Sequence, residues 1–408
     1  MNIKFILFVA VAVTLTISSC SNSDESFTPL LNYETPATYT FVRNGNTTVN
    51  YSGQTTRLIM LEEMGNYIKL AAANESIADQ TVLSEMFANT NNRFSIDDLN
   101  NSGKQLRDKT AASMDYFSLL FGGGSTVEQS LVRSFFENQF TNAQSASLGS
   151  SASAGLAGAY LDGSSKRLFA NNGLEPQQVL LKGVMGACIL DQICNNYLSI
   201  NKLDEASIKE NNTNKVLEAN KNYTTMEHYW DEAYGYIYGN DNLTVTPNIY
   251  KFWSSYIDQV DEDSDFNTLK EDINLAFRKG RAAIVANDYA SRDAQIAIIR
   301  SKLAMVPAVR SVFYLQEAKS KLQVDNGAKA FHVLSEAYGF IMSLRYTNKP
   351  GTDSPYFSKA EVDAMLASLV SGTNGLWDID SLSPKLDIIS EQIASKFGFT
   401  VAQASTVN

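Results

Sequence analysis

Two ten-residue segments, each holding one of the chain's only two histidines, share the pattern H-x-x-x-E-A-Y-G-[YF]-I. The first runs His228-Tyr-Trp-Asp231-Glu232-Ala-Tyr-Gly235-Tyr-Ile237, and the second His332-Val-Leu-Ser335-Glu336-Ala-Tyr-Gly339-Phe-Ile341. A Lys-Gly pair precedes each block, Lys182-Gly183 and Lys279-Gly280. Self-similarity of this length marks a duplicated supersecondary unit. It predicts two helical copies, 174–270 and 271–372, related by pseudo-symmetry.

The step of four from histidine to glutamate puts both side chains on one helix face, pairing His228 with Glu232 and His332 with Glu336. Ala and Gly in the same helix let a second helix approach closely, while the aromatic residues fill the crossing. An imidazole oriented by a carboxylate can ligate a metal or take a proton. Asp231 adds a third oxygen donor to the first pair, where the second block has Ser335. The candidate metal- or ligand-binding residues are therefore His228, Asp231, Glu232, His332 and Glu336, and the first block is the better equipped. A purely structural role stays open, because His and Glu at a helix crossing can also satisfy each other.

Helical spacing extends through most of the chain. Leu58, Leu61, Ile68 and Leu70 open one helix, and Asp97-Asp98 is read as capping another through Leu106 to Phe121. Leu131, Val132, Phe135, Phe136 and Phe140 carry a third. Further helices are expected near 174–200, 223–238, 247–260, 266–288, 290–321, 326–346, 358–371 and 383–397, with Pro307 kinking or interrupting one of them. Alternation over 38–49 around Asn44-Gly45-Asn46 predicts one β-hairpin. The Ser/Ala/Gly-rich stretch 142–173 is too long for an ordinary connection and reads as a connector or lid. The expected fold class is all-α: antiparallel helical bundles in two pseudo-repeated halves, with a small N-terminal β-hairpin. Residues 36–141 form the N-terminal hairpin and helices, and 373–408 the C-terminal helix and tail.

Composition narrows function by exclusion. With 408 residues, 44% hydrophobic and 19% charged, the chain is globular rather than disordered. Its 44 acidic against 33 basic residues give a net charge of −11, the wrong sign for a general nucleic-acid binder. Three cysteines build no disulfide framework, and Cys188 and Cys194 lie about 9 Å apart by helical rise, so they are read as buried thiols. No H-E-x-x-H or G-x-S-x-G motif occurs, and Gly122-Gly-Gly-Ser125 lacks the lysine of a phosphate loop and reads as a turn.

The first residues read as a secretory signal: Lys4, an apolar run from Phe5 to Ile17, and Ser18-Ser19-Cys20. Ile17-Ser18-Ser19-Cys20 fits a bacterial lipobox, making 1–19 a signal peptide, Cys20 the lipidated residue and 20–35 a tether. The expected location is the outer membrane, on its periplasmic or cell-surface face, with the lipid anchor as the membrane contact.

With that signal, the motifs Gly173-Leu174-Glu175-Pro-Gln177, Lys182-Gly183 and Met185-Gly186-Ala187 resemble an uncharacterised family of bacterial lipoproteins, a domain of unknown function. A more distant resemblance is to imelysin-like proteins, iron-regulated envelope proteins of two helical bundles with the motif G-x-H-x-x-E. Here His228 and Asp231 stand at the histidine and glutamate, and Met226 at the glycine. The resemblance implies iron-linked binding or uptake. The expected function is a lipid-anchored, non-catalytic binding protein capturing iron, another divalent metal or a metal complex for an outer-membrane transporter. A helical scaffold or interaction lipoprotein is the alternative, and an imelysin-like metal-dependent peptidase the third.

Overall fold

The computed structural model describes residues 33–121, 127–324 and 327–406. The signal peptide, Cys20, the tether as far as residue 32 and the Gly122–Ser125 turn lie outside the described residues. From Tyr33 onward the chain forms one unit. It is mostly helical, with the expected hairpin formed by β1 (Val42–Arg43) and β2 (Asn46–Thr47), Val42 opposite Thr47. Asn44 and Gly45 make its turn at φ of 53° and 78°, a conformation that asparagine and glycine accept most readily.

Helix α1 (Ser52–Ala73) is followed by α2 (Gln80–Ala88) and the short α3 (Asp97–Asn100). The helix expected from Asp97 to Phe121 does not form as one piece. Gly103 and Ala111 adopt positive φ, and helical winding resumes only as a π-helix over Met114–Leu120. Helix α4 (Val127–Leu148) takes in the start of the Ser/Ala/Gly-rich stretch. The rest of that stretch contains a second hairpin, β3 (Gly158–Asp162) and β4 (Ser165–Phe169), turning at Gly163-Ser164.

Helix α5 (Pro176–Val184) continues into π-helical turns over Met185–Leu190 and Ile193–Tyr197, making a buried central rod. Cys188 and Cys194 lie in it as free thiols, and burial pushes them up to about 11 and about 12. Two short helices follow, α6 (Ile200–Leu203) and α7 (Ala206–Thr213). Next come α8 (Thr225–Tyr238), α9 (Trp253–Asp261), α10 (Leu269–Ala286) and α11 (Tyr289–Lys321). The last four are α12 (Ala328–Ser343), α13 (Lys359–Leu369), α14 (Leu382–Phe397) and α15 (Val401–Ala404). Helix α11 is not interrupted at Pro307, which is buried within it. Proline in a helix interior costs about 3 kcal/mol, and the packing of α11 against α10, α12 and α14 offsets that cost.

The two histidine blocks are α8 and α12, and each packs on a helix from the other expected copy. A Cβ on Gly280 of α10 would lie 2.0 Å from Trp230 of α8. A Cβ on Gly339 of α12 would lie 2.3 Å from Lys182 Cβ and 2.8 Å from the Gly183 amide nitrogen on α5. Gly235 in the first block meets Tyr51 just as closely, at 2.2 Å. The shared glycines are thus contact points where a methyl group has no room. Gly339→Ala should force backbone apart from backbone and lose about 1–3 kcal/mol by overpacking. Urea unfolding checks this, and an unchanged midpoint would refute the close-approach role.

Candidate functional site

The first block opens with a capping box: the Thr224 N–H donates to Glu227 at 2.8 Å, and the Glu227 N–H to Thr224 Oγ1 at 3.2 Å. One turn apart on the buried face of α8, Glu227 and Asp231 share Arg281 from α10. Its Nη1 is 3.2 Å from Glu227 Oε1 and its Nε donates to Asp231 Oδ1 at 2.9 Å, and all three side chains are wholly buried. Arg43 of the hairpin also reaches Glu227, at 2.7 Å. Asp231 accepts further bonds from Tyr39 Oη at 2.7 Å and the Asn50 N–H at 3.2 Å. Burial pushes the Glu227 carboxyl up, but Arg281 and Arg43 more than offset it and hold it below the usual range.

His228 and Glu232 face away from that ion-pair cluster. His228 Nε2 is 4.0 Å from Glu232 Oε1, its Nδ1 is 3.1 Å from the Asn50 carbonyl, and its ring stacks on Tyr223. Glu232 Oε1 accepts from Gln54 Nε2 at 2.7 Å. The expected trio is therefore split. Asp231 has both oxygens engaged inside the core, so His228, Asp231 and Glu232 do not converge as ligands. Among the described residues no group of three His, Cys, Asp or Glu side chains is placed to hold a metal ion. The residues present do not fit a bare cation at either block.

In the second block His332 does not bond Glu336. Its Nδ1 lies 2.6 Å from Glu175 Oε2, at the start of α5, and Arg167 of β4 approaches the other Glu175 oxygen at 3.4 Å. Glu336 Oε1 is 3.1 Å from Lys182 Nζ. Burial raises the proton affinity of Glu336, but Lys182 and His332 outweigh it and keep the carboxyl below its usual range.

The two blocks correspond in detail. The Asn50 N–H, just before α1, donates to Asp231, and the Glu175 N–H, just before α5, donates to Ser335 Oγ at 2.8 Å. Asp231 and Ser335 occupy the same position in the repeat and do the same work, accepting an amide at the entrance to another helix. Both histidines then bond to that same entrance residue. The exchange of Asp for Ser follows the environment: Asp231 also faces Arg281, whereas Ser335 returns its hydroxyl proton to the Phe331 carbonyl.

Beside the second block lies a cavity of about 280 Å³ between α1, α5 and the segment 250–256. Lys182, Lys251, Tyr250, Phe252 and Tyr256 line it. Lys182 Nζ sits 5.2 Å from the centre of the Tyr256 ring and Lys251 pairs with Glu62 at 2.8 Å. Phe252 holds φ of 51°, an unusual conformation for a bulky residue, and such strain collects at ligand clamps. Arg310, wholly inside, lies 4.4 Å from the Phe313 and Tyr314 ring centres.

Sequence reasoning missed Glu227, Arg281, Glu175 and the charge role of Lys182. Glu227 carried a signal, since Thr224 followed by a glutamate three residues later marks a helix start. The others are partners across the fold, with no local pattern.

Fold and sites define an all-α protein whose two histidine-bearing helices, α8 and α12, are locked at their crossings by ion pairs and amide–side-chain bonds. A family model matches residues 36–400, and the chain belongs to that family, described as Domain of unknown function (DUF4856). No curated protein and no solved structure matches the chain.

Proposed function

We propose that the protein is a non-catalytic, lipid-anchored binding protein of the cell envelope. It is tethered through Cys20 to the outer membrane and captures a small anionic ligand, such as a carboxylate-bearing iron complex, for an outer-membrane transporter. The observation that carries this reading is the cavity with Lys182 on its wall. Lys182 and three aromatic rings, beside a Lys251 already held by the lining carboxylate Glu62, suit an organic anion, in which a metal arrives already coordinated. The histidine blocks act as joints: Glu336 aims Lys182 through their ion pair, and His332 and Glu175 fix the helix behind it.

Isothermal titration of the purified full chain with ferric citrate, citrate and free iron or zinc salts tests the reading. Ferric citrate should bind, and the pair Lys182→Met with Glu336→Gln should weaken binding at least about tenfold, the worth of one charge-assisted hydrogen bond. The two substitutions are made together so that neither charge is left buried alone. Binding of bare metal, lost in His228→Ala, would transfer the site to the first block.

A scaffold is the second reading, favoured by the matching amide bonds to Asp231 and Ser335. Absence of any binding, with lower stability in His228→Ala and His332→Ala, would establish it in place of the first.

A further inference from the structure

We propose that the side-chain cluster over the Tyr197 ring is a second site, taking a small oxyanion, a phosphate or carboxylate group, between the amines of Lys109 and Lys202. It shares no residue with the Lys182 cavity and is independent of the function proposed for it. Four segments build it. Lys109 comes from the irregular stretch after α3, Tyr197 from the last π-helical turn, Lys202 from α6 and Tyr229 from α8.

Both ammonium groups lie 5.7 Å from the centre of the Tyr197 ring, and Lys202 is also 4.4 Å from that of Tyr229. Lys202 Nζ donates to Asn196 Oδ1 at 3.1 Å, a neutral acceptor. Lys109 Nζ has no hydrogen-bond acceptor and no carboxylate within 4 Å among the described residues. Arg57, also in this cluster, spends its Nε on the Gln105 carbonyl at 2.9 Å and Nη1 on the Gly53 carbonyl at 3.2 Å. One acidic member is Glu232, whose Oε1 is taken by Gln54. Glu205 also acts on Lys202, so three cations, Lys109, Lys202 and Arg57, face two carboxylates, a local excess of positive charge in a chain whose net charge is −11.

That excess is unfavourable as it stands. Burial, the larger cause, holds the Lys109 and Lys202 amines below the ordinary lysine range, and Lys109 lowers Lys202 further. An oxyanion between the amines reverses both effects, accepting hydrogen bonds from each and cancelling their repulsion. The tyrosine rings supply a floor that keeps the amines partly out of water, where the attraction to an anion is stronger.

The test titrates the purified full chain with sodium phosphate, and separately with sodium acetate, at constant ionic strength with chloride as the background anion. Saturable binding of one equivalent at or below about 1 mM is expected for at least one of them. Phosphate alone would assign a phosphate group, and acetate at comparable strength a carboxylate. Lys109→Gln should weaken it at least about tenfold, whereas Lys202→Arg, which keeps the charge, should stay within about threefold. Lys109 makes no hydrogen bond through its amine, so its loss leaves the fold intact, which circular dichroism confirms. Lys202→Gln serves as a second variant. No saturation by either anion up to about 20 mM, or unchanged affinity in both glutamine variants, would overturn the assignment.

Discussion

Arg281→Met is expected to lower stability by about 3–5 kcal/mol, the cost of leaving buried charges without their partner. Arg281 is wholly buried and serves two carboxylates on successive turns of α8, Glu227 and Asp231. Its removal leaves Glu227 with Arg43 alone and Asp231 with no cation. It also removes the bond from its Nη2 to Thr48 Oγ1 at 3.1 Å and the guanidinium stacked 5.0 Å from Phe41. Those contacts dock the N-terminal hairpin, so residues 36–50 should become the first site of proteolytic cutting in the variant. Adding Asp231→Asn should return part of the loss, because a neutral side chain no longer requires the cation. Urea unfolding of the wild type, both single variants and the double variant gives the coupling between the two residues. A loss under about 1 kcal/mol in Arg281→Met, or no recovery in the double variant, would show that the pair is not the joint described here.

The sequence pattern exposed the helices and the joints but not what the joints bind to. Period and spacing located α8, α10, α11, α12 and α14 because each has an apolar face that repeats with the helix turn. The Asn44-Gly45 turn likewise announced the first hairpin. The second hairpin was hidden although Asp162-Gly163 is a turn signal, because the surrounding Ser, Ala and Gly residues make weak strands, which pair with each other and pack against α1, α4, α5 and α12. The stretch from Asp97 to Phe121 has helical spacing yet leaves the helix after Asn100, with positive φ at Gly103 and at Ala111, whose N–H donates to the Ala187 carbonyl at 2.8 Å. A tertiary bond overrode local propensity there. At the blocks, spacing placed His228 with Glu232 on one face correctly, but His332 chose Glu175, far off in sequence. Lys109 and Lys202 gave no warning, since only the fold brings them over one ring.

The same limit applies to Asp191, which no motif marks and which should give the protein its largest pH dependence. It sits between the two π-helical turns of the central rod, fully buried, and burial pushes its carboxyl up to about 7. Oδ1 accepts from Ser113 Oγ at 2.7 Å and Asn195 Nδ2 at 3.1 Å, and these bonds and Arg345 pull the value back, while Oδ2 has no hydrogen-bond partner among the described residues. The unfolded chain releases this proton near about 3.9, so from about pH 4 to about pH 7 the folded state binds more protons than the unfolded state. Stability from this group is therefore complete at low pH and is lost as pH rises through that window. Across its full width the loss is on the order of 4 kcal/mol, reached above about pH 7. Asp191→Asn keeps the acceptor and never ionises. At pH 5 ionisation of the unfolded chain has already removed about 1.5 kcal/mol from the wild type, while the amide presents two unpartnered donors where the protonated acid presents one, so the two effects oppose and the proteins should lie within about 2 kcal/mol of each other. From pH 5 to pH 8 the difference should move in favour of the variant by about 2–3 kcal/mol. Every other carboxylate titrates alike in both proteins and cancels in the difference. Unfolding midpoints in urea at the two pH values measure it, and an equal difference at pH 5 and pH 8 would mean that Asp191 does not hold its proton in the folded core.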